Sequence, residues 1–219
     1  MFHRIDFGAG NNSFSPENLE KMVKFLAEKK VKTLTFWDLK FLEWGLEKPP
    51  KKAVILTFDD GYQNHLAAAK ILKKWNLRGV FFVISERVGS PDYLNWDEVR
   101  EISKMGHEIG SHSATHADLT TLSDEKLRAE IAKSKRKIEL EIGQKVISFC
   151  FPAGKYDTRA IKILRDEKYE FARTTRAGKI FSLNTKFELP ATRILPKTGI
   201  ASLQIWFSDE HNFYSKKDF

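Results

Sequence analysis

Two short segments bring together the residue types that hydrolytic chemistry uses. The first, Thr57-Phe58-Asp59-Asp60-Gly61-Tyr62, sets two adjacent carboxylates where an apolar run gives way to a helical pattern. Neighbouring carboxylates repel, which raises the pKa of one unless a cation neutralises the pair. A plainer reading gives one aspartate to the cap of the following helix and Gly61 to the turn. The second segment, His112-Ser113-Ala114-Thr115-His116, spaces two imidazoles at i, i+4. On a helical turn both would face the same way, a common spacing for zinc ligands, although such pairs also arise by chance. Two histidines and one carboxylate, with a position left for water, form a hydrolytic zinc arrangement. A second carboxylate outside the coordination sphere would then serve as general base.

A third segment, Phe149-Cys150-Phe151-Pro152-Ala153-Gly154-Lys155-Tyr156, leaves an apolar run through a loop set by proline and glycine. It reads either as an ordinary turn or as a groove wall whose free backbone N–H groups hold an oxyanion. His3 ends an apparent first strand, and spacing alone gives it no role.

The elements that must position these residues alternate. Ser15, Pro16 and Glu17 open a helix whose apolar stripe is Leu19, Met22, Val23 and Leu26. Leu34 and Phe36 read as a short strand, and Ala53 to Phe58 as a strand buried on both faces. Ala68, Ile71, Leu72 and Trp75 form the next stripe. Further strands are expected at 80–84, up to His112, at 147–151, at 170–174 and at 189–195. Helices are expected at 96–105, 123–142 and 157–166. Such alternation implies a parallel sheet with crossover helices. The expected fold is α/β, an irregular, short (β/α) barrel with about seven parallel strands, residues 1–219 forming one domain. In such a barrel the strand C-termini form the active-site face.

Composition narrows the classes. The chain has 219 residues, 42% apolar and 30% charged, and 37 basic against 29 acidic side chains give a net charge of +8. A single cysteine, Cys150, excludes an intramolecular disulfide. No apolar run approaches the roughly 20 residues that cross a bilayer, so no integral membrane segment is expected. The opening residues lack the basic-then-apolar layout of a signal peptide. The expected location is cytoplasmic as written, or extracytoplasmic should a leader precede this chain. The basic clusters 29–32 and 133–137 have acidic neighbours and are expected on solvated helix faces; no nucleic-acid motif accompanies them, so no nucleic-acid partner is expected. Oligomeric state is not legible.

Taken together, these segments resemble the polysaccharide deacetylase family, carbohydrate esterase family 4 (CE4). The resemblance rests on T-F-D-D-G, H-S-x-x-H and the proline–glycine loop, and it runs across nearly the whole chain. Phe2-His3-Arg4-Ile5 and Gly106 to His112 resemble a permuted branch whose catalytic histidine lies near the N-terminus. The resemblance implies a divalent metal, Zn2+ foremost with Co2+ or Ni2+ as alternatives, held by Asp60, His112 and His116. It implies Asp59 as general base, His3 as general acid and Ser113 as a brace for the loop. Ala153 would donate its N–H to the oxyanion, with Pro152 and Tyr62 beside the substrate. The implied substrate is an acetylated amino sugar or polysaccharide, deacetylated at linear amide C–N bonds.

Two departures qualify this likeness. The arginine of the family's R-P-P-Y-G loop is missing, Cys150 standing in its place, and the D-x-x-D-W motif is absent. Leu189-Pro190-Ala191-Thr192-Arg193-Ile194 resembles the branch's late Leu-Pro-Arg-Ile segment, which makes Arg193 the expected charge partner of Asp59. The alternatives are O-acetyl esters or a small cyclic amide at the same metal site, or a non-catalytic carbohydrate-binding protein. Cys150 is expected as a buried small group and His107 as structural, with His65 and His211 on the surface. Trp37, Trp44, Trp75 and Trp96 are expected to pack helices on the sheet, and Trp206 is a candidate for a sugar groove.

Overall fold

Ser15 starts the first helix by accepting from the Asn18 N–H, with Pro16 at the first helical position. This is α1, Pro16–Glu28, and Leu19, Met22, Val23 and Leu26 form its buried stripe. There follow β1 (Lys32–Thr33), α2 (Phe36–Glu43), β2 (Ala53–Val54), β3 (Thr57–Phe58), α3 (His65–Lys74), β4 (Val80–Val83), α4 (Trp96–Lys104) and β5 (Glu108–Ser111). Then come α5 (Asp124–Ile142), β6 (Ser148–Cys150), α6 (Thr158–Asp166), β7 (Phe171–Arg173) and α7 (Ile200–Trp206). The computed structural model describes residues 1–206 other than Ala9, Asn11, Pro49 and Phe181. The expectations for His211 and for the side chain of Trp206 lie outside the described residues.

The main sheet has five parallel strands in the order β3-β4-β5-β6-β7. Isolated parallel bridges extend it at both edges, Phe2 to Phe58 and Arg173 to Leu189. The sheet curls as a (β/α) half-barrel, and the Ile194 N–H reaches back to the Met1 carbonyl at 2.9 Å. Because sequential strands run parallel, their C-terminal ends share one face. Asp59, His112 and Phe151 each follow the last residue of a strand, Arg173 ends β7, and His3 follows the Phe2 bridge.

Two expectations about strands are corrected. The apolar run 53–58 is not one strand: β2 pairs with β1, and β3 pairs with β4. Its first half is only half-buried, while Leu56, Thr57 and Phe58 are buried, so the run passes from a two-stranded edge pair into the main sheet. The described residues thus hold seven parallel strands, as expected, five in the main sheet and two in the edge pair. Leu34 and Phe36 do not form a strand either. Thr35 and Asp38 make a reciprocal capping box that starts α2 at Phe36, and a side-chain cap of that kind overrides β-propensity in the aromatic residues that follow. Glu108, buried at the start of β5, accepts from the Phe36 and Trp37 N–H groups at 2.8 and 3.3 Å.

The core follows the apolar pattern. Trp75 and Trp96 pack against the main cluster and Trp37 against a second one. Trp44, expected in the same role, is 58% exposed because α2 ends there. Residues 29–32 run from the end of α1 into β1 and not along a helix, whereas 133–137 do lie on α5. Among the described residues, no helix is long and apolar enough to cross a membrane.

Candidate metal centre

Three ligand atoms converge where β3 and β5 end. Asp60 Oδ1 lies 3.4 Å from His112 Nε2 and 3.6 Å from His116 Nε2. Tetrahedral zinc with ligand bonds near 2.1 Å requires ligand atoms roughly 3.4 Å from one another, so this set is spaced for such an ion. The His112 Nδ1 sits 2.7 Å from the Cys150 carbonyl oxygen. A proton on Nδ1 donated to that carbonyl leaves the Nε2 lone pair facing Asp60, the outer-shell arrangement typical of a metal-ligating histidine.

The backbone that presents these ligands is not the helical turn expected for 112–116. His112 follows β5 and the next residues form an irregular loop with Ser113 at φ 63° and His116 at φ 69°. Asp60 is also left-handed, at φ 79°. Non-glycine residues in this region cost of order 1–3 kcal/mol each and persist only where surroundings over-determine them. The surroundings here are visible. Ser113 Oγ accepts from the His116 N–H at 3.0 Å. Glu130 of α5 accepts from the N–H groups of Ala114 and Thr115 and from the Thr115 hydroxyl. Sequence reading assigned Ser113 through the resemblance but missed Glu130, whose place in a lysine-rich helix carries no local signal.

Asp59 lies one residue before Asp60 and is 1% exposed. Its carboxylate forms an ion pair with Arg173, the last residue of β7, both side chains being 2% exposed. Burial pushes the Asp59 carboxyl upward, and the guanidinium together with His112 more than offsets this, holding it below the ordinary carboxylate range. The expectation that Arg193 partners Asp59 is therefore corrected. Arg193 is exposed, with no ion-pair partner among the described residues, and its charge bears instead on His3. Cys150 and Arg173 are register partners across β6 and β7. The small thiol, 3.9 Å from Asp59 Oδ2 and from His112 Nε2, leaves the space through which the neighbouring strand's arginine reaches the carboxylate. Cys150 is buried as expected, but at the site and not in plain core. The missed signal was an arginine inside the otherwise apolar strand Phe171-Ala172-Arg173.

The remaining assigned residues border this centre. His3 is half-buried; burial holds its imidazole below the usual value, Arg193 and Arg173 act in the same direction, and Asp59 and Asp60 oppose them. His65, expected on the surface, is fully buried and its Nε2 contacts the His3 carbonyl oxygen at 2.5 Å. It fixes the main chain that presents His3. His107 is buried away from the site, between the Ala69 carbonyl and the Gly79 N–H. Pro152 and Ala153 form a tight turn after β6 in which Ala153 is left-handed at φ 50° and exposed. The N–H groups of Gly154 and Lys155 turn back to Phe151 and Pro152, and Ala153 N–H has no backbone acceptor among the described residues. A Cβ on Gly154 would stand 2.1 Å from Thr175 Oγ1, so the turn closes only with glycine there. Tyr62 is half-buried and stacks on Tyr93 with ring centroids 5.3 Å apart.

A curled parallel sheet with an Asp-His-His triad and a buried second aspartate defines a hydrolase of the deacetylase type. The profile described as polysaccharide deacetylase matches residues 46–172. The chain belongs to the polysaccharide deacetylase family (CE4). It is 28% identical over 198 residues to the protein YxkH of Bacillus subtilis, covering 90% of this chain and 70% of that one. It is 30% identical over 122 residues to a peptidoglycan-N-acetylglucosamine deacetylase of Bacillus cereus, and the match spans about half of each protein, 55% in both cases. The deacetylase PplD of Streptococcus pyogenes, solved in complex with acetate, superimposes with a TM-score of 0.88 at 26% identity, covering 94% of this chain and 95% of that one.

Proposed function

We propose that this chain is a metal-dependent hydrolase that removes N-acetyl groups from acetylated amino sugars or polysaccharides, releasing acetate. The observation that carries the reading is the convergence of Asp60, His112 and His116 beside Asp59, a buried carboxylate kept ionised by Arg173. Bound by the triad, a divalent cation such as Zn2+ supplies a Lewis acid and makes water a stronger acid within the site.

The chain's own residues supply the rest. Asp59, ionised and fixed by Arg173, takes a proton from the attacking water at its free carboxylate edge. The Ala153 N–H, exposed in a turn that holds it in place, donates to the oxygen that gains charge as the amide carbon becomes tetrahedral. His3, held through its carbonyl by His65, gives a proton to the departing sugar nitrogen. The proton lost by water and the proton gained by the amine balance across these two residues.

The test measures acetate release from N-acetylated chitooligosaccharides and from acetylated xylan, before and after chelation and after Zn2+ is restored. Release from the amide substrate that vanishes with the metal and returns with it is the expected result. Activity that survives metal removal would refute the reading, and release from the xylan alone would replace the amide by an ester.

A further inference from the structure

The rim of the metal centre carries an arrangement that deacetylation itself does not use. Arg4 lies with its guanidinium carbon 4.2 Å from the Tyr62 ring centroid. Tyr62 stacks on Tyr93, and Arg87 donates from Nη1 to the Tyr93 hydroxyl at 2.7 Å. A ladder of arginine, two tyrosines and a second arginine thus joins three separate segments. Arg4 follows His3, Tyr62 lies two residues after Asp60, and Arg87 lies beyond β4.

Backbone bonds set the ladder beside the centre: the Ser85 and Glu86 N–H groups donate to the Ser113 and Ala114 carbonyls at 3.2 and 2.9 Å, and the Leu94 N–H donates to the Gly61 carbonyl at 3.0 Å. The charge on the rim is poorly neutralised. Arg4 has Asp6 at 3.9 Å, and Arg87 has no carboxylate within ion-pair distance among the described residues. A guanidinium held by a ring and a hydroxyl, yet left without a counter-ion, has already lost much of the side-chain freedom that binding an anion would cost. Its planar fork matches a carboxylate or a phosphate.

We infer that Arg4 and Arg87, spaced by the Tyr62–Tyr93 stack, form an anion-recognition subsite that selects glycans carrying a carboxylate or phosphate near the N-acetyl group. This deepens the deacetylase reading and rests on it for the position of the acetyl group. The +8 net charge of the chain favours the same substrates at longer range.

The experiment has two arms. In the first, kcat/KM for acetate release is compared between tetra-N-acetylchitotetraose and the same oligosaccharide bearing 6-carboxylate or 6-phosphate groups, with Zn2+ present. The anionic forms are expected to be preferred by about tenfold, as one charge-assisted contact supplies. That ratio should fall to near one in Arg87→Ala and Arg4→Ala, and Arg87→Lys should recover part of it. Whichever anion is preferred identifies the source. In the second arm, the metal-free protein is titrated calorimetrically with the fully N-acetylated neutral and anionic oligosaccharides. Tighter binding of the anionic forms, lost in Arg87→Ala, supports the subsite whether or not turnover is seen. Equal binding of neutral and anionic forms, or a preference that Arg87→Ala leaves intact, overturns it. Acetate release from no substrate would refute the deacetylase reading while the binding arm still decides the subsite.

Discussion

Replacing Arg173 by methionine isolates the role assigned to the strand β7 arginine. The substitution keeps a long side chain in the space beside Cys150 while removing the charge. Asp59 would remain about 1% exposed with no cation in contact, and a buried carboxylate without its partner shifts its pKa upward by as much as 3–5 units. His112 and His3 still favour the ionised form, so the rise falls at the lower end of that range, about 3 units. The base would then take up its proton at a higher pH than in the parent. Each unit is about 1.4 kcal/mol, so holding Asp59 ionised at high pH would cost roughly 4 kcal/mol relative to the parent. The sign follows from linkage. With its pKa depressed in the fold, Asp59 adds stability above its unfolded pKa that is lost as pH falls through the folded value. The variant reverses this, so it is most stable at acid pH and loses stability as pH rises through the new pKa.

The assay is the pH profile of kcat/KM for acetate release with saturating Zn2+, alongside urea unfolding at several pH values. The acid limb, which reports the base of the free enzyme, should move up by about 3 units, and because His3 loses its proton on the alkaline side the bell should narrow and its maximum fall. The double variant Asp59→Asn/Arg173→Met shows whether the methionine packs, since it removes the unpaired charge and should restore the stability lost at alkaline pH. Arg193→Ala is the control: it should leave the acid limb in place and move the alkaline limb upward, because removing Arg193 relieves a charge that lowers the His3 imidazole. An acid limb that does not move in a folded Arg173→Met protein, or one that moves equally in Arg193→Ala, would refute the assignment.

Three further outcomes are expected. Asp60→Asn, His112→Ala and His116→Ala should each weaken Zn2+ binding by at least a hundredfold in calorimetric titration, and Glu130→Ala, which frees the loop without touching a ligand, by about tenfold. Gly154→Ala should cost about 2–4 kcal/mol in urea unfolding, because the added methyl meets Thr175 Oγ1 at 2.1 Å and φ is +71°. Glu108, pushed up to about 7 chiefly by burial, keeps its proton in the fold well above the unfolded value of 4.5. Its contribution is thus fully present below pH 4.5 and falls as pH rises through 7, by about 3 kcal/mol. Glu108→Gln should abolish that slope between pH 5 and 8 in denaturation curves.

The sequence by itself determined the chemistry that had to meet at one place. Asp59-Asp60 and the His112–His116 pair are contiguous motifs, each set immediately after a strand, and parallel strands bring such positions to one face without any knowledge of the packing. The helices with side-chain caps and regular apolar stripes, α1, α4, α5 and α6, were legible for the same local reason. Tertiary structure alone decided what crosses between strands. Arg173 and Cys150 are register partners 23 residues apart in a sheet, and no local pattern says which neighbouring strand supplies the cation when one position has become a thiol. His65 looked like a surface histidine because its partner is a backbone carbonyl 62 residues away. The loop 112–116 holds both ligands through left-handed turns paid for by Ser113 and Glu130, where the i, i+4 spacing suggested a helix. Local spacing identifies which groups can react; only the pairing of distant segments determines how each is charged and aimed.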